Sequence, residues 1–290
     1  MNVIPRDQHC ISRKNISDSA LKVMSRLRSK GHQAYLVGGA VRDLLLGGHP
    51  KDFDSATDAT PEAIHALFRN SRIIGRRFRI VHVRFGREII EVTTFRGHHE
   101  NGGQDNSERG GNHSRQSASG LLLRDNVYGT LEEDAARRDL TVNALYYDSG
   151  KFEVFDHVHG LQDLQRNNIC VIGDPAVRFR EDPVRMLRVL RFAAKLDFSI
   201  DPGTAKAIPG CSALLGEIPA ARLFDEFLKL FLGGHAAATL EKLLEYDLLQ
   251  YLFPQSNASL RKDSHALALV RAAMGNTDLR IAQGKPVTPA

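Results

Sequence analysis

The 290 residues are enough for two domains and a sizeable core, and 42% hydrophobic with 25% charged residues is the balance of a soluble globular protein. No apolar run approaches the roughly 18 residues of a membrane span, and the start, MNVIPRDQHCISRK, lacks the apolar centre of a secretory signal. Cys10, Cys170 and Cys211 suggest neither a disulfide framework nor a zinc knuckle, so a reduced cytoplasmic setting is expected, and the net charge of +5 suits a polyanionic partner.

Residues 1–17 read as a polar arm. Ser17, Asp18 or Ser19 caps a helix through Leu21, Met24 and Leu27 that stops at Gly31. Tyr35-Leu36-Val37 then reads as a buried strand, broken by Gly38-Gly39 before helical spacing resumes from Val41 to Leu46. A strand, a glycine pair and a helix N-terminus make a phosphate seat, because the glycines let backbone N–H groups approach an anion closely. Next comes Lys51-Asp52-Phe53-Asp54. If this is a strand, Asp52 and Asp54 point to one face. Two adjacent carboxylates call for a cation, and hard oxygen ligands suit Mg²⁺.

Thr60-Pro61 opens a helix through Ile64, Leu67 and Phe68. Residues 73–94 read as a hairpin around Gly86-Arg87, a pair suited to a type II′ turn. Glu91 is an acid inside an apolar strand. It is either a solvent-facing edge residue or a third carboxylate beside Asp52 and Asp54. Residues 98–120 have almost no apolar content and read as a flexible loop, in which His98, His99 and His113 lack metal-ligand spacing.

Leu131 to Asp139 begins as a helix, with Glu132 and Glu133 on a solvated face. Arg138, Asp139 and Asn143 then gather before a strand-like run, Ala144 to Tyr147, and could hold phosphate and ribose. Ile172 to Pro175 reads as a turn, and EDPVRMLRVLRFAAKL from Glu181 as a strong helix with Asp182 as its N-cap and Pro183 at N1. Asp182 and Arg185 share its face. Their acceptor-and-donor pattern complements the pairing edges of adenine and cytosine and opposes those of guanine and uracil. From Pro219 the chain is amphipathic helix, with Leu223, Phe224, Phe227, Leu228, Leu230 and Phe231 as core. Residues 255–290 become polar.

These motifs together resemble the bacterial poly(A) polymerases, within the class II nucleotidyltransferases that also contain tRNA CCA-adding enzymes. The resemblance rests on LVGGAVRDLLLG, KDFDSAT, GRRFRIVHV, EIIEVTTFRG, RRDLTVNALYY and EDPVRMLRVLRFAAKL, in family order. It implies an α+β fold, a palm-like head with a mixed sheet over 18–168, then a helical neck over 169–254 and the start of a helical body over 255–290. It implies Asp52, Asp54 and Glu91 as catalytic and metal-binding carboxylates for two Mg²⁺. Gly38, Gly39, Arg42, Arg138, Asp139 and Asn143 would bind the nucleotide, with Asp182 and Arg185 reading its base.

The implied reaction is template-independent transfer of AMP from ATP to an RNA 3′ end, with no obligate protein partner. GRRFRIVHV points to the polyadenylating branch, where CCA-adding enzymes carry a GTxHGTV-like string. CCA addition is the rival within the class, and a non-catalytic RNA-binding fragment is the rival outside it. Family members continue past residue 290, so the sequence is expected to be a truncated form. The Asp182–Arg185 pattern suits both A and C, and Arg76, Arg77 and Phe78 are the candidates for excluding cytosine.

Overall fold

The structure, a computed structural model, describes residues 1–75, 79–97, 115–116, 122–124 and 127–289. Two compact units divide the chain between Leu164 and Gln165. In the first, residues 1–17 depart from expectation and are no free arm: β1 (Asn2–Ile4) pairs at the sheet edge, and Ile4, Ile11 and Ile16 are buried. Three apolar side chains spaced this widely leave no periodic signal, yet each anchors one bend of the segment.

Helix α1 (Asp18–Ser29) starts where Ser17 accepts the N–H groups of Ser19 and Ala20, and it buries Ala20, Val23, Met24 and Leu27. The chain continues through β2 (Ala34–Val37), α2 (Gly39–Leu45) and β3 (Asp54–Thr57). Asp52 precedes β3 and stands outside it, so the expected strand over 51–54 is shorter at its start. Helix α3 (Pro61–Leu67) has the expected cap, with Thr60 accepting the Ala63 N–H. Strands β4 (Ser71–Ile74), β5 (Ile80–Phe85) and β6 (Glu88–Thr94) follow. Phe85 opposes Glu88 across the turn, and Gly86 takes φ 61° while Arg87 keeps a negative φ, as a type II′ turn requires.

β7 (Arg115–Gln116), inside the range expected to be a loop, pairs with β8 (Leu122–Arg124) just beyond it. His98, His99 and His113 lie outside the described residues, as do Arg76, Arg77 and Phe78. Helix α4 (Leu131–Arg137) carries a capping box, in which the Thr130 hydroxyl accepts the Glu133 N–H and the Glu133 carboxylate accepts the Thr130 N–H. The unit closes with β9 (Leu145–Asp148), β10 (Glu153–Asp156) and α5 (Gly160–Gln165).

Eight of these strands form one sheet in the order β1-β10-β9-β2-β3-β6-β5-β4. β3 and β6 run parallel, and the other neighbours run antiparallel. Consecutive residues Leu36 and Val37 are both buried, so β2 is covered on both faces. Helix α1 packs on β2, β3 and β6. Val37, Ala56, Phe95, Ala135 and Tyr146 form the core on the α4 face.

The second unit contains a short parallel pair, β11 (Asn168–Ile169) with β12 (Ser199–Ile200), among helices. These are α6 (Pro175–Glu181), α7 (Val184–Leu196), α8 (Pro202–Cys211), α9 (Ala220–Phe231), α10 (Ala236–Glu245), α11 (Leu249–Leu252), α12 (Pro254–Leu260) and α13 (Ser264–Ala282). One expectation changes here. Asp174-Pro175 opens a helix instead of a turn, because Asp174 accepts the Val177 N–H as its N-cap. Helix α7 starts within one residue of the expected Asp182-Pro183 cap: Glu181 ends α6, Asp182 is extended at φ −154° and ψ 93° and accepts the Val184 N–H, and α7 begins after Pro183. A residue before proline is driven out of the helical region, which places the break at Asp182. In α9, Leu230 and Phe231 are core as expected, but Phe224 is exposed and Glu226 is buried.

Phe95 lies under the end of β6 with 1% exposure. Phe95→Ala should destabilise the first unit by about 3–5 kcal/mol through loss of burial and the cavity left behind. Urea unfolding followed by a probe in the first unit measures this.

Candidate nucleotidyl-transfer site

Sheet register assembles the first part of the site. Tyr146 opposes Val37, Val37 opposes Asp54, Asp54 opposes Glu91, and Glu91 opposes His82. Directly opposed residues share a face, so these five side chains form one row across β9, β2, β3, β6 and β5. The row changes character along its length. Tyr146 and Val37 belong to the core under α4, whereas Glu91 is 45% and His82 26% exposed at the side chain. Asp54 sits at the transition, partly buried. Glu91 is therefore on an interior strand, not an edge.

The His82 imidazole Nε2 lies 3.1 Å from Glu91 Oε1. Burial, followed by the Glu91 charge, pushes the Asp54 carboxyl up to about 6, with a smaller push from Asp52 and opposition from Arg138 and His82. Opposed carboxylates repel, so the pair favours either a shared proton or a cation. Their all-oxygen donors fit a hard divalent ion. Asp52 is exposed two residues before Asp54. Among the described residues, no three such side chains stand close enough to chelate a metal as they are. Asp54 and Glu91 are thus an opposed carboxylate pair, and Asp52 is a third carboxylate close enough to act on the Asp54 charge.

The Gly38-Gly39 turn lies at the same end of the sheet, because β2 and β3 are antiparallel and Val37 pairs with Asp54. Gly38 takes φ 73° and ψ −136°, a conformation that favours glycine. A Cβ there would lie 3.7 Å from Arg138 Nη1, and one at Gly39 would lie 3.4 Å from Arg42 Nη2. Two guanidinium groups therefore flank the glycine turn.

Their surroundings fix them differently. Arg138 donates to Asp134 Oδ2 from Nε at 3.3 Å and from Nη2 at 3.1 Å, and its Nε also donates to Tyr146 Oη at 2.8 Å. Tyr146 Oη in turn donates to Asp134 Oδ2 at 2.6 Å. Burial works against the Arg138 charge, but Tyr146 and Asp134 outweigh it and raise its pKa. Arg42 is 1% exposed. It donates from Nη1 to Asn143 Oδ1, and from Nε and Nη2 to Asp43 Oδ1 at 2.8 and 2.6 Å. Asn143 is buried in the single 3-10 turn Thr141–Asn143, and Asp139 is partly buried between that turn and α4.

The structure thus brings Asp54, Glu91, Gly38, Gly39, Arg42, Arg138 and Asn143 together in the first unit. Asp182 and Arg185 belong to the second. Asp182 accepts the Val184 N–H at Oδ1, 3.3 Å, and Arg222 Nη2 at Oδ2, 2.6 Å. Arg185 Nη1 donates to Glu181 Oε2 at 2.9 Å and to the Arg178 carbonyl at 2.8 Å. The two side chains are each held by other partners. Sequence reading passed over His82, Asp134, Tyr146 and Arg222. The hairpin itself was the available signal for His82, since counting back from the Gly86-Arg87 turn sets it opposite Glu91 on the same face.

Residues 34–170 match the profile of the "Poly A polymerase head domain", and residues 197–260 that of the "Probable RNA and SrmB- binding site of polymerase A". Poly(A) polymerase I of Salmonella typhimurium is 54% identical over the whole chain. The chain belongs to the poly(A) polymerase family. It spans 62% of the length of that relative. A CCA-adding enzyme of Bacillus licheniformis is 40% identical over 80% of the chain and 55% of its own length. The crystal structure of the Bacillus stearothermophilus CCA-adding enzyme in complex with CTP superposes with a TM-score of 0.66 at 35% identity, covering 80% of this chain and 52% of that one. The family's mixed α+β architecture, expected from sequence, is the one found. Among the described residues no helix is long and apolar enough to cross a membrane.

The raised Asp54 pKa has a defined consequence in metal-free buffer. A carboxyl whose folded pKa lies above its unfolded value stabilises the fold at low pH, and that stability is lost as pH rises through the folded pKa. Asp54→Asn should therefore be more stable than the parent at pH 7, by about 1–3 kcal/mol for a shift from 3.8 to about 6. The gap should close towards pH 4. Thermal unfolding across pH 4–8 in EDTA reads this directly.

Proposed function

We propose that this chain carries the catalytic head and nucleotide-reading neck of an enzyme that adds AMP from ATP to RNA 3′ ends without a template. The observation that carries the reading is the opposed pair Asp54–Glu91 beside the Gly38-Gly39 turn, with Arg138 held over that turn. A triphosphate needs closely approaching N–H groups and a fixed cation, and the turn with Arg138 supplies both. The 3′-oxygen of the RNA bonds to the α-phosphorus, the bond to the bridging oxygen breaks, pyrophosphate leaves, and the hydroxyl proton passes to water. Mg²⁺ held by Asp52, Asp54 and Glu91 would lower the pKa of the 3′-hydroxyl and offset charge on the leaving pyrophosphate.

The chain's own groups have separate tasks. Arg138 orients the triphosphate, and its two buried partners remove the freedom it would otherwise lose on binding. Arg42 is a positioning residue, because its buried guanidinium ties α2 to Asn143 and so holds the glycine turn. Asn143 is bonded to Arg42 and Asp139 follows Arg138 in the chain, and this pair would take the ribose. In the neck, Asp182 and Arg185 offer one acceptor and one donor set to the base. ATP preference is supported by the full-length likeness to poly(A) polymerases and the shorter match to CCA-adding enzymes.

CCA addition is the second reading. A solved relative is described in complex with CTP, and the Asp182–Arg185 pattern suits cytosine as well as adenine.

Three measurements bear on these readings. Asp54→Ala should abolish AMP incorporation into an RNA primer, and activity within a few-fold of the parent would overturn the assignment. Arg185→Ala should raise the KM for ATP and blur nucleotide preference, costing about 1–3 kcal/mol of discrimination, with ATP-independent Mg²⁺ binding unchanged. Efficient CMP transfer to a tRNA lacking its CCA end would favour the second reading instead.

A further inference from the structure

Helix α1 carries a charged face that the site above does not use. Lys22, Arg26 and Lys30 recur every fourth residue, so they stack in one stripe, and all three are exposed. Lys22 and Lys30 are about 12 Å apart along the helix axis. Arg13, also exposed, extends the stripe from the segment before α1. These four cations wall a groove of about 780 Å³ whose lining includes Phe68 and Phe85. The Arg26 guanidinium lies 5.4 Å from the centre of the Phe68 ring.

Arg28 on the same helix shows what a structural arginine does here. It donates to Asp148 Oδ1 at 3.1 Å, to Ser149 Oγ at 2.9 Å and to the Ala34 carbonyl at 3.3 Å. Lys22, Arg26, Lys30 and Arg13 make no such pair: among the described residues, none has a carboxylate within 4.0 Å. Asp18 is the single acid in the groove lining, against four cations. Complementing the helix C-terminus accounts for Arg26 and Lys30 at most. It does not account for Lys22, which lies towards the N-terminus, where cations are disfavoured, while Arg13 has a contact of its own, 5.7 Å from the centre of the Phe152 ring.

We propose that this groove is a binding track for the backbone of single-stranded RNA, separate from the nucleotide site. The inference rests on the reading that RNA is the acceptor substrate. Cationic walls match phosphates, and half-buried Phe85 offers apolar surface to sugar and unstacked base faces, which a duplex keeps inside, while buried Phe68 supports Arg26 from below. Phosphate contacts and aromatic stacking carry no base-edge code, so recognition by these groups is independent of sequence.

The test measures binding of a labelled oligo(A) strand by fluorescence anisotropy, without ATP or divalent ions, across a salt series. Lys22→Gln/Lys30→Gln should raise the Kd roughly tenfold and reduce the slope of log K against log salt by about 1.4, about 0.7 for each phosphate no longer neutralised. Lys22→Arg/Lys30→Arg should bind as the parent does, and ATP affinity should be the same in all three proteins. Both positions are exposed, so thermal unfolding should be unchanged. Parent-like Kd and slope in the Gln variant would overturn the proposal. An equal loss of affinity for duplex RNA would overturn the single-strand assignment. Because no turnover is read, a chain that binds here but adds no AMP refutes the enzyme reading alone. A chain that adds AMP while the Gln variant binds normally refutes the groove alone.

Discussion

The opposition of Asp54 and Glu91 is the constraint on which the rest of the first unit depends. Opposed like charges destabilise a sheet, and partial burial at Asp54 adds to the cost. The pairing persists because the register that creates it is fixed elsewhere. Leu36, Val81, Ile90 and Val92 are fully buried on the same strands, and α1 packs on that side. A slip of one residue would turn those side chains outward and drive Asp54 towards the face that α1 covers. The carboxylates are thus held together by hydrophobic burial on the opposite face. The parallel pairing of β3 and β6 also requires a long crossover, which α3, β4 and β5 provide.

The cations are held by a different means, buried hydrogen bonding. Arg138, Asp134 and Tyr146 form a closed triangle, and the Asp134 Oδ1 that remains accepts the Arg96 N–H at 3.0 Å. Removing one partner from such a group leaves a buried charge uncompensated, which costs more than the hydrogen bond itself. The triangle also links row and turn, since Tyr146 is the first residue of the transverse row and Arg138 reaches Gly38. Acid pair and glycine turn are therefore coupled through this triangle.

Local chemistry was legible in sequence, and tertiary selection was not. Ser17, Thr60 and the Gly86 turn each act through neighbours within four residues, so spacing alone located them. Asp134 shows the other case. It follows Glu132 and Glu133 on one helix, and nothing local separates a capping acid from one that buries itself against an arginine and a tyrosine. Phe224 and Glu226 reverse the usual expectation for the same reason: the packing partners of α9 choose its buried face. Residues 1–17 offered too few apolar positions to show a period, although three isoleucines sufficed to bind them to the sheet. The break at Asp182 was legible in the sequence, because Asp before Pro marks an N-cap, and the residue preceding proline is extended there.

That break bears on how a base could be read in the neck. An unbroken helix would commit the backbone groups near Asp182 to intrahelical bonds. In the extended conformation, its carboxylate is instead divided between the Val184 N–H and Arg222. Each oxygen keeps acceptor capacity beyond its present bond. Arg185 is likewise anchored on one side, by Glu181 and the Arg178 carbonyl, with the remainder of its five-donor fork available. If these two residues read the base, neither has to become ordered on binding, and a mismatched edge would leave charged, mostly buried groups facing like partners. Discrimination would then come from the penalty for the wrong base more than from the gain for the right one. The same logic would exclude guanine and uracil and leave cytosine unpenalised, so a preference for adenine over cytosine would have to arise from shape or distance rather than from the hydrogen-bond pattern of this pair.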